Sequence, residues 1–240
     1  MSKVAIFVEG QSEQIFICHL LLQTIDCSKV SFKCLRLYAG KTVPIRRFDF
    51  PNPHAEMSFL IVNVGQDEKV LSEIKEREED LIKQGFDRII GLRDMYSEEY
   101  SKRSPNEIND SVTSSFINGW NSTIKKMSDS SKIRIHIAIM ELEAWFLGIY
   151  DIFKRINSIL SVEYIENELG FNLANIDPQT EFFKPAEEVN RIFQLVGLQY
   201  KKKEHDVKSI CSKINNDDIN NAFKNGRCSR FKDFYEELLI

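Results

Sequence analysis

The amino-acid sequence predicts an α/β protein, with a mostly parallel sheet flanked by helices and a helical C-terminal part. Apolar runs of strand length alternate with amphipathic segments through the first 150 residues, which is the pattern of parallel sheets with crossover helices. After residue 160 the pattern changes, and helical segments are joined by polar loops. We therefore expect an α/β domain at residues 1–150 and a helical part at residues 151–240 that packs on it.

The first strand and helix are the clearest elements. Residues 4–8 form a continuous apolar run, typical of a strand buried on both faces of a sheet. The run ends at Glu9 and Gly10, where the glycine tolerates a tight turn before Ser12 begins an amphipathic helix. A carboxylate is thus expected at the carboxyl end of the first strand, where α/β sheets bind ligands, beside helix N–H groups suited to phosphate.

The later elements follow the same alternation. The polar, proline-containing residues 40–53 are predicted as a loop or an edge strand. A charged helix is expected to begin at Asp67 and end at Gln84, and its Lys/Glu run, which includes Glu78, is interpreted as a solvated face. Further strands are predicted at residues 31–38, 58–65, 88–96 and 132–140, and further helices at residues 109–127, 141–160, 162–169, 185–196, 217–224 and 231–238.

Composition restricts the class of protein. The formal net charge of −4 argues against a chain coated in nucleic acid, but it is compatible with an acidic metal site that its cations neutralise. Five cysteines without a C-x-x-C pair indicate reduced thiols in a cytoplasm. The first residues lack a signal-peptide pattern and no apolar run reaches membrane-spanning length, so we expect a cytoplasmic protein without membrane contact.

Acidic residues end three of the predicted strands. Glu9 follows the first strand, Asp94 lies near the end of the strand at 88–96, and Glu141 and Glu143 extend the odd-numbered isoleucine face of the strand at 132–140. Carboxylates that converge at one edge of a sheet repel one another unless protons or cations intervene. Carboxylate oxygens favour Mg²⁺ or Mn²⁺, so a divalent metal site is predicted there.

The motifs at these positions carry a resemblance to a known family. The pattern V-E-G-x-[ST]-E-x-x-F at residues 8–16 resembles the first motif of the Toprim fold, shared by topoisomerases, primases and nucleases of the overcoming-lysogenization-defect (OLD) type. The chain is similar to a bacterial family of Toprim-like domains of unknown function, often encoded beside ATPases. That family shows D-x-Y and E-x-E-A motifs and three later ones. The matching segments are Asp94-Met95-Tyr96, Glu141-Leu142-Glu143-Ala144, Lys184-Pro185-Ala186, Tyr200-Lys201-Lys202 and Cys228-Ser229-Arg230-Phe231.

The resemblance implies a metal-dependent nuclease that hydrolyses phosphodiester bonds of DNA or RNA with Mg²⁺ or Mn²⁺, in bacterial anti-phage defence with an ATPase partner. It implies that Glu9 is a general base or metal ligand, and that Asp94, with Glu141 or Glu143, holds the ions. Glu13 is either a first-turn helix acid or a further ligand. Phosphate contacts are expected from Gly10, Lys184, Lys201 and Lys202, with ordinary surface charge as the alternative for the three lysines.

One departure from the Toprim pattern leaves a second hypothesis open. A Toprim D-x-D motif supplies two metal ligands, whereas Tyr96 is a poor neutral ligand. Either Glu141 and Glu143 supply the missing charge, or the chain is a degenerate, non-catalytic Toprim domain that binds nucleic acid or a partner protein. Glu9 has a structural alternative as well, because an acid at a helix N-terminus gains roughly 0.3–1 kcal/mol from the helix dipole.

Overall fold

The computed structural model describes residues 1–65 and 69–239 and contains six strands and twelve α-helices within them. Three single 3₁₀ turns lie at Arg46–Phe48, Ser130–Lys132 and Lys224–Gly226. The strands are β1 (Ser2–Val8), β2 (Val30–Tyr38), β3 (Lys41–Pro44), β4 (Met57–Asn63), β5 (Arg88–Asp94) and β6 (Ile133–Ala138). The helices are α1 (Gln11–Thr24), α2 (Lys69–Lys83), α3 (Glu98–Arg103), α4 (Asp110–Ile124), α5 (Glu143–Gly148), α6 (Asp151–Ile156), α7 (Val162–Leu169), α8 (Pro178–Glu181), α9 (Pro185–Gln194), α10 (Glu204–Cys211), α11 (Asn216–Ala222) and α12 (Ser229–Leu239).

The six strands form one mostly parallel sheet in the order β3-β2-β4-β1-β5-β6. Strand β1 is parallel to β4 and β5, and β2 is parallel to β4. Strand β3 pairs antiparallel with β2, so the polar segment predicted as a loop or an edge strand contains an edge strand followed by a 3₁₀ turn. The predicted mixed α/β fold with a helical C-terminal region is therefore confirmed.

Contacts divide the chain into two compact units, each built from two separated segments. The first unit comprises Met1–Arg93 and Asp110–Ile137, and the second comprises Asp94–Asn109 and Ala138–Ile240. The domain boundary expected at residue 150 stays a prediction.

The hydrophobic core of the first unit lies between the sheet and helices α2 and α4. Ala5 and Phe7 of β1 cluster there with Ile74 and Leu81 of α2 and with Ile124 of α4. These β1 residues are two apart and share one face of the strand, whereas their neighbours face the other side. Burial of both faces accounts for the continuous apolar run in the sequence.

Helix α1 covers the opposite face of the sheet. Phe16 and Leu20 of this helix are fully buried. The side-chain amide of Gln14 is buried too, and its Nε2 donates to the carbonyl oxygens of Leu35 (2.9 Å) and Ile61 (3.1 Å). Because those carbonyls belong to β2 and β4, a single side chain links the helix to two adjacent strands.

The charged helix α2 differs from its prediction. Its expected start at Asp67 lies outside the described residues. Glu78 is buried, not solvated, and its Oε1 accepts a hydrogen bond from the backbone N–H of Ser128 at 3.0 Å. Glu73 is buried as well and pairs with Arg77 at 3.0 Å. The solvated-face interpretation is wrong for these glutamates, because a main-chain donor distant in sequence holds Glu78 inside and Glu73 pairs with Arg77 one turn along the same helix.

The helix predicted at residues 141–160 is interrupted. Strand β6 ends at Ala138, and Met140 has a left-handed backbone (φ +61°), which turns the chain out of the strand. Glu141 therefore lies in a turn, and α5 begins at Glu143. The prediction that both glutamates extend the isoleucine face is wrong for this reason. A second break follows α5, and α6 begins at Asp151.

The second unit is built around Trp145 of α5. Its indole ring is fully buried and stacks on Phe231 of α12, with ring centroids 4.8 Å apart. Its Nε1–H donates to Oε1 of Gln179 at 3.0 Å, which satisfies the polar group in the core. Gly148 of the same helix faces the thiol of Cys228, and a Cβ atom at this glycine would lie inside van der Waals contact with Sγ.

Replacement of Gly148 tests this packing. We expect Gly148→Ala to lower the free energy of unfolding by about 1–3 kcal/mol, because a methyl group must displace the buried Cys228 thiol. Chemical denaturation measures the change.

Gly119→Ala is the matched control. Gly119 also lies in a helix, but a Cβ atom there meets no other atom within 4 Å, so alanine should stabilise by up to about 1 kcal/mol. Equal effects of the two substitutions would contradict the close packing at Gly148.

Candidate active site

In the first unit, Glu9 lies directly after β1 and is paired with an arginine. Its carboxylate is buried, and Oε1 lies 3.3 Å from Nε of Arg93, an ionic contact without hydrogen-bond alignment. The guanidinium of Arg93 lies over the ring of Trp120, 4.2 Å from the centroid. This cation–π contact holds the arginine beside Glu9. Neither Arg93 nor Trp120 was predicted as a site residue from the sequence, although an arginine in an apolar strand is itself a sign of a buried partner.

Gly10 and Glu13 are close neighbours at the start of α1. Gly10 is the N-cap residue with an extended backbone (φ −141°), so the tight turn expected from the sequence is not the reason for glycine. A Cβ atom at Gly10 would lie 2.9 Å from Oε2 of Glu13. The absence of a side chain is what allows the buried Glu13 carboxylate to approach the main chain.

In the second unit, two predicted acids and one predicted lysine meet. The ammonium of Lys202 lies 2.6 Å from Oε1 of Glu141 and 3.1 Å from Oε2 of Glu143. The first contact is a hydrogen bond, and the second is an ion pair without hydrogen-bond alignment. Both carboxylates therefore face one cationic group that the chain itself supplies. We call these three residues the carboxylate–lysine cluster.

Further donors complete the carboxylate–lysine cluster. The backbone N–H of Ala186, in the first turn of α9, donates to Oε2 of Glu141 at 2.9 Å. The hydroxyl of Tyr200 donates to Oε1 of Glu143 at 2.6 Å. Lys202 has a left-handed backbone (φ +54°), a conformation that is costly for a residue with a side chain. Such a conformation persists only where contacts with the surrounding structure hold the residue in it.

The charges of the cluster do not balance, because two carboxylates face one ammonium group. Burial raises the pKa of Glu143; the Lys202 ammonium acts to lower it, and the Glu141 carboxylate adds to the rise. Burial acts to lower the pKa of Lys202, but the carboxylates of Glu143 and Glu141 outweigh it and raise that pKa above its ordinary value. The charge of Asp94 contributes to the same rise. Lys202 is therefore protonated at neutral pH.

The structure places the other predicted residues of the second unit around or away from the cluster. Tyr96 packs edge-on against the ring of Phe183, with centroids 5.8 Å apart, which gives this departure from the Toprim pattern a packing role. Lys184 pairs with Glu187 at 2.8 Å on the surface, and this partner raises its pKa. The side chain of Lys201 is exposed, so of the three predicted lysines Lys202 is the one that contacts the acids.

A divalent metal fits the cluster as a partner of two carboxylates. Within residues 1–65 and 69–239, no three His, Cys, Asp or Glu side chains are grouped so that they could hold a metal ion. Mg²⁺, however, is often held by one or two carboxylates together with waters and substrate phosphate oxygens. Glu141 and Glu143 supply such a pair, and the ammonium of Lys202 stands where their negative charge requires a cation. These two glutamates are the residues that would hold the ion.

The fold and the cluster define a mixed α/β protein with a pair of carboxylates, one buried and one partly buried, that faces a lysine in its second unit. Comparison with family models then places it further. Residues 8–239 match the family described as domain of unknown function DUF4276, and the chain belongs to that family. No curated protein and no solved structure matches the chain significantly. Among the described helices, none combines the length and the apolar character needed to cross a membrane.

Removal of the lysine tests the cluster. Lys202→Met leaves two carboxylates without their ammonium partner, and we expect a loss of about 2 kcal/mol at pH 7, less than for fully buried pairs because the Lys202 side chain is 39% exposed. A carboxyl group whose pKa is higher in the folded than in the unfolded chain adds to the stability of the fold at any pH below its unfolded pKa, about 4.3. This contribution is lost as the pH rises through the pKa of the folded state. The deficit of the variant should therefore shrink when the pH falls toward 4.

Thermal denaturation between pH 4 and pH 8 measures this dependence. Lys201→Met is the control, since it removes the neighbouring exposed charge and should leave the pH profile unchanged. A deficit that stays the same across this pH range would contradict the electrostatic role of Lys202.

Proposed function

We propose that this chain is a metal-dependent nuclease that hydrolyses phosphodiester bonds of DNA or RNA, with the carboxylate–lysine cluster as its metal and phosphate centre. The observation that supports the proposal is the approach of Glu141 and Glu143 to a single cation. Three motifs that resemble the Toprim-like family contribute to this cluster, namely those at residues 141–144, 184–186 and 200–202. Their physical contact gives the resemblance a chemical basis.

The residues of the cluster have separate tasks in this proposal. Glu141 and Glu143 bind the divalent ion, and Tyr200 fixes the orientation of Glu143 through its hydroxyl. When held there, Mg²⁺ or Mn²⁺ would supply Lewis-acid chemistry toward the scissile phosphate and a water molecule. The ammonium of Lys202, once exchanged for the ion, neutralises a phosphate oxygen of the substrate. Asp94 adds negative charge near the cluster, since it contributes to the raised pKa of Lys202.

The remaining assignments of the proposal rest on the resemblance. They are a base or ligand role for Glu9, a catalytic role for Asp94, a ligand role for Glu13, and phosphate contacts from Gly10, Lys184 and Lys201. A cytoplasmic setting in anti-phage defence, with an ATPase partner, belongs to the same proposal. The pairing of Glu9 with Arg93 competes with both roles, because the guanidinium already engages the charge that a base or a metal ligand would use.

One observation favours a second function, that of a non-catalytic module that binds nucleic acid or a partner protein. Lys202 supplies a cationic partner to both acids from within the chain, so the cluster has part of its counter-charge without a metal ion. In this alternative the lysine is a permanent substitute for the ion. The two functions differ in whether an external cation displaces the ammonium, and this difference is measurable.

Cleavage assays test the proposed chemistry. Incubation of the purified chain with labelled DNA and RNA and with Mg²⁺ or Mn²⁺, alone and with its ATPase partner, should give products. Glu141→Gln should reduce the rate at least about a hundredfold, because it removes a metal ligand. Glu9→Gln and Asp94→Asn should do the same if the assigned roles hold.

Glu76→Gln, on the exposed face of α2, is the charge-matched control and should keep full activity. Folded Glu141→Gln protein with wild-type activity would place the chemistry elsewhere. A wild-type chain that cleaves nothing but still binds nucleic acid would support the second function.

Metal titration tests the exchange of lysine for metal without an activity measurement. The melting temperature should increase with the concentration of Mn²⁺ by mass action. Glu141→Gln should abolish this increase, and Lys202→Met should enlarge it, because the competing ammonium is gone. Unchanged melting of the wild-type chain at millimolar Mn²⁺ and Mg²⁺ would contradict the metal centre.

A further inference from the structure

A basic groove in the first unit has no role in the chemistry proposed above. Its volume is about 360 Å³, and its lining residues include two arginines, Arg36 and Arg47, and two residues with carboxamide side chains, Gln11 and Asn63, together with three apolar residues. None of its seven lining residues carries a negative charge. A concave site with these groups suits an anion with several oxygen atoms.

The groove lies at the carboxyl edge of the parallel sheet. Arg36 on β2 is in register with Asn63, the last residue of β4, and Gln11 is the first residue of α1. The side-chain oxygen of Asn63 already accepts from the N–H of Gly65 at 2.9 Å, so its NH₂ group is what it offers to a ligand. The N-terminal end of α1 adds positive potential to that of the arginines.

One face of β2, the strand that carries Arg36, is buried along its first part and exposed along its last part. Even-numbered residues of β2 are buried as far as Cys34, whose sulfur lies 3.5 Å from that of Cys18 in α1. Beyond the start of α1, the same face presents Arg36 and Tyr38 to solvent. Tyr38 is 66% exposed, and the Arg36 guanidinium lies 5.5 Å from its ring centroid. An exposed aromatic ring therefore stands beside a cationic groove.

The surrounding segment is strongly basic in an acidic chain. Residues 30–48 contain five lysine and arginine residues and no aspartate or glutamate, whereas the whole chain has a net charge of −4. This segment forms β2 and the edge strand β3. Basic groups along an edge, with an aromatic ring among them, are the features by which proteins hold single-stranded nucleic acid: cations contact phosphates and bases stack on rings.

We propose that this groove binds the backbone of single-stranded nucleic acid, with Arg36 and Arg47 on the phosphates and Tyr38 stacked on a base. The inference deepens the proposed function by naming the substrate class, and it rests on that function in taking nucleic acid as the ligand. The groove is distinct from the carboxylate–lysine cluster, because its residues all belong to the first unit.

Fluorescence anisotropy with labelled 20-nucleotide DNA and RNA strands, in EDTA to prevent cleavage, tests the groove. The double variant Arg36→Gln/Arg47→Gln should weaken binding at least about tenfold at 0.1 M salt. The slope of the logarithm of the association constant against the logarithm of the salt concentration should become less steep by about 1.4, since two phosphate contacts are lost and each contributes about 0.7 on a single strand. Tyr38→Ala should weaken binding about tenfold with an unchanged slope, because stacking involves no charge.

Controls separate this inference from general charge effects and from the proposed chemistry. Lys75→Gln/Lys83→Gln removes the same charge from the exposed face of α2 and should bind as the wild type does. Five results would each overturn the inference. They are an equal loss of affinity in this control, wild-type affinity in the groove variants, equal affinity for duplex nucleic acid, displacement of the strand by AMP at the same concentration, and no binding by the wild-type chain. Binding with the expected slopes and without any cleavage supports the groove and contradicts the nuclease proposal instead.

Discussion

The second unit depends on the placement of one ammonium group between a buried carboxylate, that of Glu143, and a partly buried one, that of Glu141. Without Lys202, Glu141 and Glu143 would face each other in a region where burial already disfavours charge. The other elements of the cluster make this placement possible: a left-handed residue turns the chain after β6, helix α9 directs an N–H at Glu141, and Tyr200 satisfies Glu143. In the proposed function, the same three charges would serve both the chemistry and the stability of the fold, a conflict common at functional sites.

Much of the fold was predictable because it is encoded locally. The apolar run of β1 and the alternation of strands and helices specify a parallel sheet, and the structure has one. The predictions that were wrong concern features that depend on tertiary contacts. Glu78 has the sequence environment of a solvated helix face, yet a distant main-chain N–H holds it inside. The interruption near Met140 depends on a backbone conformation that the side chain does not specify.

The residues of the candidate site also fall into a group that the sequence predicted and a group that it did not. The acids at residues 9, 94, 141 and 143 were found because each follows a strand, and Lys202 because its segment resembled a known motif. Their counter-charges were harder to find. Arg93 is 84 residues from Glu9 in the chain, and the pairing of Lys202 with Glu143 spans 59 residues. Spacing rules apply within one helix or strand, so ion pairs between distant segments have no periodic signal.

The interleaved composition of the two units has a consequence for synthesis on the ribosome. The first unit needs residues 110–137, but residues 94–109, which belong to the second unit, emerge before them. The contacts of this short segment within the second unit cannot form until residue 138 and the residues after it have been synthesised. Neither unit is therefore complete as an early, independent product of translation, and nascent chains stalled near residue 100 are candidates for chaperone binding.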